Sequence, residues 1–136
     1  MEDNMSRTHS VGTHAIFDIH MVKNHVFLTK PNPFLDLMKA ACLAQGATIL
    51  KTECHGFGDG QGYTFTFILS ESHASCHTWP EHGVATFDIF MCGKCNSFDA
   101  MESFKEDLRK VYTDTERLSF HETKLFRGFY FDDATK

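Results

Sequence analysis

Positive charge is in short supply in this chain: 13 Lys and Arg stand against 18 Asp and Glu, for a net charge of −5 with histidine neutral. Gripping a nucleic acid backbone takes a basic stripe, so nucleic acid is not an expected partner. Long apolar runs are missing as well. No stretch approaches the roughly 20 residues of a membrane span. The opening MEDNMSRTHS is polar and lacks the apolar core of a secretion signal. The expected setting is the cytosol, with no membrane partner. Cysteine is present but odd in number: Cys42, Cys54, Cys76, Cys92 and Cys95 argue for free thiols rather than a disulfide framework. Prolines are few, three in all, so those that occur mark positions.

What is present reads as a soluble globular domain, 42% hydrophobic and 23% charged. Residues 1–10 read as a flexible tail and 11–136 as a single domain without internal repeats. THAIFDIHM (13–21) alternates as a strand, with Ala15, Phe17, Ile19 and Met21 on one face. Pro31 and Pro33 break the chain and open a helix that carries Phe34, Leu37, Met38, Ala41 and Cys42, and Gly46 stops it. ATILKTEC (47–54) is a second strand, GFGDGQG (56–62) a flexible loop, and YTFTFIL (63–69) the clearest strand. VATFDIFMC (84–92) is another. Asn96 or Ser97 caps a second amphipathic helix through Met101, Leu108 and Tyr112. LSFHET (118–123) and LFRGFYF (125–131) read as two short strands, paired as a hairpin. Short links imply antiparallel pairing, hence an α+β two-layer domain with helices on one sheet face.

The run LSESHASCHTWPE (69–81) is the chemically dense part. It holds three serines, two histidines, a thiol and the single tryptophan. His73 and His77 together with Cys92 and Cys95 make a possible zinc set, although the strand between the two pairs is unlike a zinc knuckle. Cys92 or Cys76 beside His77 makes a possible nucleophilic pair, which needs a proximity that sequence cannot supply.

SESHASCHTWPEHGVATFDIFMCG (70–93) resembles the signature of the prokaryotic S-adenosylmethionine decarboxylase family, in its short, single-domain, pyruvoyl-dependent form. In that family Ser-Glu-Ser-His is followed by His-Thr-Trp-Pro-Glu and by a strand closing in Cys-Gly. A weaker likeness runs upstream through GTH (12–14), Gly-Ala-Thr (46–48) and His-x-Phe (55–57). The resemblance implies self-cleavage between Glu71 and Ser72 into chains 1–71 and 72–136. Ser72 becomes a pyruvoyl group that forms a Schiff base with the substrate amine, without pyridoxal phosphate or metal. By the same resemblance His77 takes the Ser72 α-proton during processing, and Cys92 returns a proton to the substrate carbon. Thr64 stands where the family usually has a serine that stabilises the ester. Phe57 stacks on adenine and Glu81 binds the ribose hydroxyls, with Trp79 as a further wall, or else a packed anchor of the sheet. The glycine-rich loop before Tyr63 is one residue longer than the family pattern.

The implied reaction is decarboxylation of S-adenosylmethionine to the aminopropyl donor for spermidine synthesis. The implied assembly is a homodimer, a four-layer αββα sandwich. Its sites take the serine and cysteine from one protomer and the histidine, aromatic and glutamate from the other. Two alternatives stay open on sequence: a pyruvoyl decarboxylase of arginine or ornithine, and an unprocessed regulatory paralogue.

Overall fold

Alternation decides which way each strand faces. The computed structural model describes residues 8–113 and 117–132. Along β1 (Thr8–His20), Ala15, Phe17 and Ile19 are buried, while His14, Ile16 and Asp18 between them face the other way. The same period runs through β3 (Tyr63–Leu69) and β5 (Val84–Cys92), whose buried positions are Tyr63, Phe65, Phe67 and Leu69, and Ala85, Phe87, Ile89 and Met91. β4 (Ser72–Trp79) buries Ala74, Cys76 and Thr78. With the edge strands β2 (Ile49–Gly56) and β6 (Ser119–Phe131), these form one antiparallel sheet in the order β2-β3-β4-β5-β1-β6.

Three helices cover the face bearing the buried side chains: α1 (Val26–Thr29), α2 (Asn32–Ala44) and α3 (Ser97–Val111). Pro33 sits in the first turn of α2, and Gly46, at φ 81°, takes the left-handed conformation that ends it. Asn96 caps α3, its Oδ1 accepting from the N–H groups of Phe98 and Asp99 at 2.8 and 3.1 Å. Such a cap is worth about 1 kcal/mol. Phe87 is the aromatic centre of the core, with ring centroids 5.0 Å from Phe17, 5.2 Å from Phe34 and 4.9 Å from Phe104. α1 is anchored through its carbonyls: Tyr63 Oη donates to Phe27 O at 2.6 Å and Thr78 Oγ1 to Leu28 O at 2.8 Å. Thr78 Oγ1 also accepts from Tyr63 N, so this buried hydroxyl is fully used.

The fold departs from the sequence expectations in three places. The two C-terminal strands are one: β6 pairs with β1 in a single register from Thr8↔Phe131 to His20↔Ser119. No turn residue interrupts Thr123-Lys124, and a long partner strand sets the length. Residues 8–10, assigned to the tail, belong to β1; residues 1–7 lie outside the described part. The polar run after Leu69, open on sequence as an optional further strand, is one: β4, followed by the 3-10 turn Pro80–His82. α1 was not anticipated, being too short to show a helical period.

Among the described residues, no helix lies over the second sheet face. That face presents His14, Ile16, Thr64, Thr66, Ile68, His73, Ser75, His77, Asp88 and Phe90, placed there by the strand registers. Ile16, Ile68, Trp79 and Leu125 are exposed on it.

Candidate functional site

β3 and β4 are joined by a two-residue turn, Ser70-Glu71, because Leu69 pairs with Ser72. Glu71 adopts φ 64° there, a left-handed conformation that costs a residue with a Cβ roughly 1–2 kcal/mol. The strained residue therefore supplies the carbonyl side of the Glu71–Ser72 peptide bond. Cys92, at the end of β5, closes over it: its thiol donates to Glu71 O at 3.2 Å, and its Sγ lies 3.7 Å from Ser72 Oγ. Hydroxyl, thiol and strained carbonyl thus form one cluster at one end of β4.

A second cluster occupies the other end. Thr64 and His77 are cross-strand partners, with Thr64 Oγ1 and His77 Nδ1 2.9 Å apart. Beside them a cavity of about 310 Å³ is lined by Phe57, Gln61, Gly62, Thr64, His77, Trp79 and Glu81. Gly62 is required at its wall, since a Cβ there would lie 2.3 Å from Thr78 O. Phe57 is 61% exposed and Trp79 42%, so two aromatic faces border open space. His77 and Trp79 rings are 6.2 Å apart.

Ser72 and His77 are five residue steps apart along an extended strand, a span of about 17 Å. Within one chain His77 does not reach Ser72. The site residues named from sequence thus fall into two groups: Glu71, Ser72 and Cys92 at one end, and Phe57, Thr64, His77, Trp79 and Glu81 at the other.

Between them lies a third group, centred on Asp88, a residue that the sequence reading left unassigned. Asp88 on β5 receives three hydrogen bonds on the open face. His14 Nε2 and His73 Nε2 lie 2.8 and 2.9 Å from its Oδ2, and Ser75 Oγ bonds its Oδ1. Burial alone would raise the carboxyl pKa, but these donors outweigh it and hold Asp88 well below the usual carboxylate range. The hydrogen bond to Asp88 in turn raises the pKa of His73 against the opposing effect of its burial. Arg127 Nη1 sits 2.8 Å from His14 Nδ1. Arginine only donates, so Nδ1 accepts and the ring hydrogen resides on Nε2, pointing at Asp88. One ligand-type atom from each of His14, His73 and Asp88 lies within 4.8 Å of the others, but this tautomer spends the His14 lone pair on Arg127 and works against a metal. Only strand register marks Asp88 out, because Ser75↔Asp88 and His73↔Phe90 become neighbours on pairing.

The two rival constellations do not assemble. His73 and His77 share a strand face about 13 Å apart, engaged with Asp88 and Thr64 respectively. Cys92 faces Ser72, while Cys95 packs against the core. Cys76 is buried on the helix-covered face, opposite His77, and burial pushes its thiol pKa well up. Cys42 is likewise raised by burial, to about 12. Neither is a poised nucleophile.

A profile described as S-adenosylmethionine decarboxylase matches residues 13–119. Proteins named S-adenosylmethionine decarboxylase proenzyme are similar in sequence. The Pyrobaculum aerophilum protein is 36% identical over 83 residues, 61% of this chain and 66% of that one. The Syntrophomonas wolfei protein is 38% identical over 92 residues, 67% and 71% of the two chains. The Acetivibrio thermocellus protein is 34% identical over 109 residues, 79% and 86% of the two chains. The match thus spans about two thirds of the first of these relatives and more of the others. Among solved structures, the adenosylmethionine decarboxylase of Aquifex aeolicus superposes with a TM-score of 0.67 at 24% identity, covering 88% of this chain and 92% of that one. That likeness is one of fold.

Proposed function

Since the chain belongs to the S-adenosylmethionine decarboxylase family, we propose that it cleaves itself at Glu71–Ser72 and then decarboxylates S-adenosylmethionine, yielding an aminopropyl donor for spermidine synthesis. One observation carries this reading: a serine follows a left-handed, strained Glu71 whose carbonyl oxygen is already polarised by a thiol. Ser72 Oγ adds to the Glu71 carbonyl carbon, the C–N bond breaks, and the nitrogen takes the hydroxyl proton, leaving an ester. Loss of the Ser72 α-proton then expels Glu71 as a carboxylate. Water converts the remaining dehydroalanine to a pyruvoyl group with release of ammonia. When present, that group supplies the electrophilic carbonyl that no ordinary side chain offers as an electron sink.

The other residues divide the remaining work. Cys92 is placed to return a proton to the substrate carbon, since its sulfur already faces residue 72. Phe57 and Trp79 provide flat walls for adenine and a π-face for the sulfonium, and Glu81 accepts from ribose hydroxyls. A nucleoside fits that lining better than arginine or ornithine does. Because His77 lies about 17 Å from Ser72 of its own chain, the α-proton passes to His77 of a second copy. Two open sheet faces meeting about a two-fold axis would bring opposite ends of β4 together in a four-layer αββα dimer. The apolar side chains exposed on that face support this pairing. No helix among the described residues is long and apolar enough to cross a membrane. The free thiols, Cys92 above all, suit a reducing compartment such as the cytosol.

The direct test is intact mass under denaturing conditions, joined to carbon dioxide release from S-adenosylmethionine, arginine and ornithine. Two fragments ending at 71 and starting at 72, with release from S-adenosylmethionine, are expected. A single uncut chain, or release from a basic amino acid alone, overturns the reading.

Two substitutions report on the second cluster. His77→Ala stalls processing at the ester, slowing the cut by about 10²–10⁴-fold as loss of a proton acceptor does; hydroxylamine then splits the stalled chain. Glu81→Gln leaves cleavage and kcat unchanged and raises KM by about tenfold, the factor carried by one charge-assisted hydrogen bond. Steady-state kinetics on the cleaved protein checks it.

A further inference from the structure

Cutting Glu71–Ser72 leaves a chain end inside a sheet. Before the cut, residue 72 is tethered through the Ser70-Glu71 turn to β3. Afterwards it is the first residue of its chain, and only side-on contacts of β4 keep it opposite Cys92. Beyond its own backbone pairing with Leu69, the nearest side-chain tie belongs to the next residue. His73 Nε2 bonds Asp88 Oδ2 at 2.9 Å, and its ring stacks on Phe90, its cross-strand partner, at 5.9 Å. Asp88 is itself held still. Ser75, two residues further along β4, bonds its other oxygen, and His14 on β1 bonds Oδ2 with a ring whose tautomer Arg127 on β6 sets. One carboxylate therefore ties β4 to β5 and β1 at the position next to the new terminus.

We propose that Asp88 is a positioning residue, a clamp that holds the chain end created by self-cleavage so that residue 72 stays in line with Cys92. The proposal rests on the self-processing reading above. Its distinctive consequence is timing: the clamp is redundant while Glu71–Ser72 is intact and necessary once it is cut. A displacement of about 1 Å at a reacting centre can cost roughly 10²-fold in rate, so a loosened end lowers kcat rather than substrate binding. Asp88→Asn keeps the shape but loses the charge: its amide oxygen accepts weaker, neutral bonds from the two histidines while its N–H pair turns to Ser75 Oγ, which can accept.

The test compares hydrogen exchange of the peptide covering residues 72–79 in four proteins: wild type, Asp88→Asn, Ser72→Ala, and the Ser72→Ala/Asp88→Asn double variant. In the cleaved pair, Asp88→Asn loses protection at the start of β4 by about tenfold or more, the factor carried by one hydrogen bond to a charged group. In the uncleaved pair, protection is equal. Turnover of S-adenosylmethionine by cleaved Asp88→Asn falls about 100-fold with KM unchanged, and Asp88→Glu recovers part of it. If Asp88→Asn fails to fold, His73→Phe keeps the ring stack, drops the bond to Asp88 and gives the same comparison. Equal loss of protection in cleaved and uncleaved proteins, or an unchanged kcat, overturns the clamp alone. A wild-type chain that never splits overturns the self-processing reading and the clamp with it.

Discussion

Ser72→Ala leaves one uncut species of 15.5 kDa and abolishes carbon dioxide release. Both losses have one cause. Without the hydroxyl no ester forms, without the ester there is no elimination, and no other side chain supplies the electrophilic carbonyl. Removing the group that performs the chemistry forfeits an acceleration on the order of 10⁶-fold or more, which in an assay is a null. Fold is not the explanation. Ser72 is only half-buried at the start of β4 and donates to no buried acceptor, so the substitution shifts stability by about 0.5 kcal/mol or less. Thermal melting of the uncut variant checks that point, and intact mass checks the cut. A Ser72→Ala protein that still splits and turns over removes the mechanism entirely.

Cys92→Ala separates the two reactions that Ser72→Ala abolishes together. The thiol's contact with the Glu71 carbonyl is one polarising hydrogen bond, so its loss slows cleavage without preventing it. On the proposed mechanism Cys92 is the proton donor in turnover, its sulfur 3.7 Å from the Ser72 hydroxyl, and losing a general acid costs about 10²–10⁴-fold in kcat. The expected protein is therefore largely cut and nearly inactive, with KM changed little. A serine at the same position keeps the shape and is too weak an acid to restore the rate. Measuring the cleaved fraction by mass and normalising kcat to it distinguishes this outcome from a mere processing defect. A cleaved Cys92→Ala protein with wild-type kcat assigns the proton to another group.

Much of the sheet was legible because burial imposes a period of two. YTFTFIL and VATFDIFMC announce β3 and β5, and Asn96 and Pro33 announce the helix starts. The C-terminal strand was not, since β6 is an edge strand, largely exposed, and its length is set by the partner strand β1 rather than by its own composition. The motif pointed to Ser72 and Cys92 through a resemblance, and the geometry puts their side chains side by side. Sequence neighbours misled in the opposite way. Cys76 and His77 are adjacent in the chain yet face opposite sides of the sheet, and the four-residue spacing of His73 and His77, close on a helix, is a long reach on a strand. Asp88 had no local signal at all, since its partners come from β1 and β4 and meet it only after pairing.

The left-handed Glu71 has one more consequence. That conformation belongs to the turn, and the turn exists only when β3 and β4 have found their register, with β5 laid alongside to bring Cys92 over the carbonyl. A nascent or misfolded chain has the same Glu-Ser sequence but neither the strain nor the thiol. On the self-processing reading, arming the enzyme therefore doubles as an inspection of its architecture: only molecules that have completed the sheet acquire the reactive group, and defective ones stay inert.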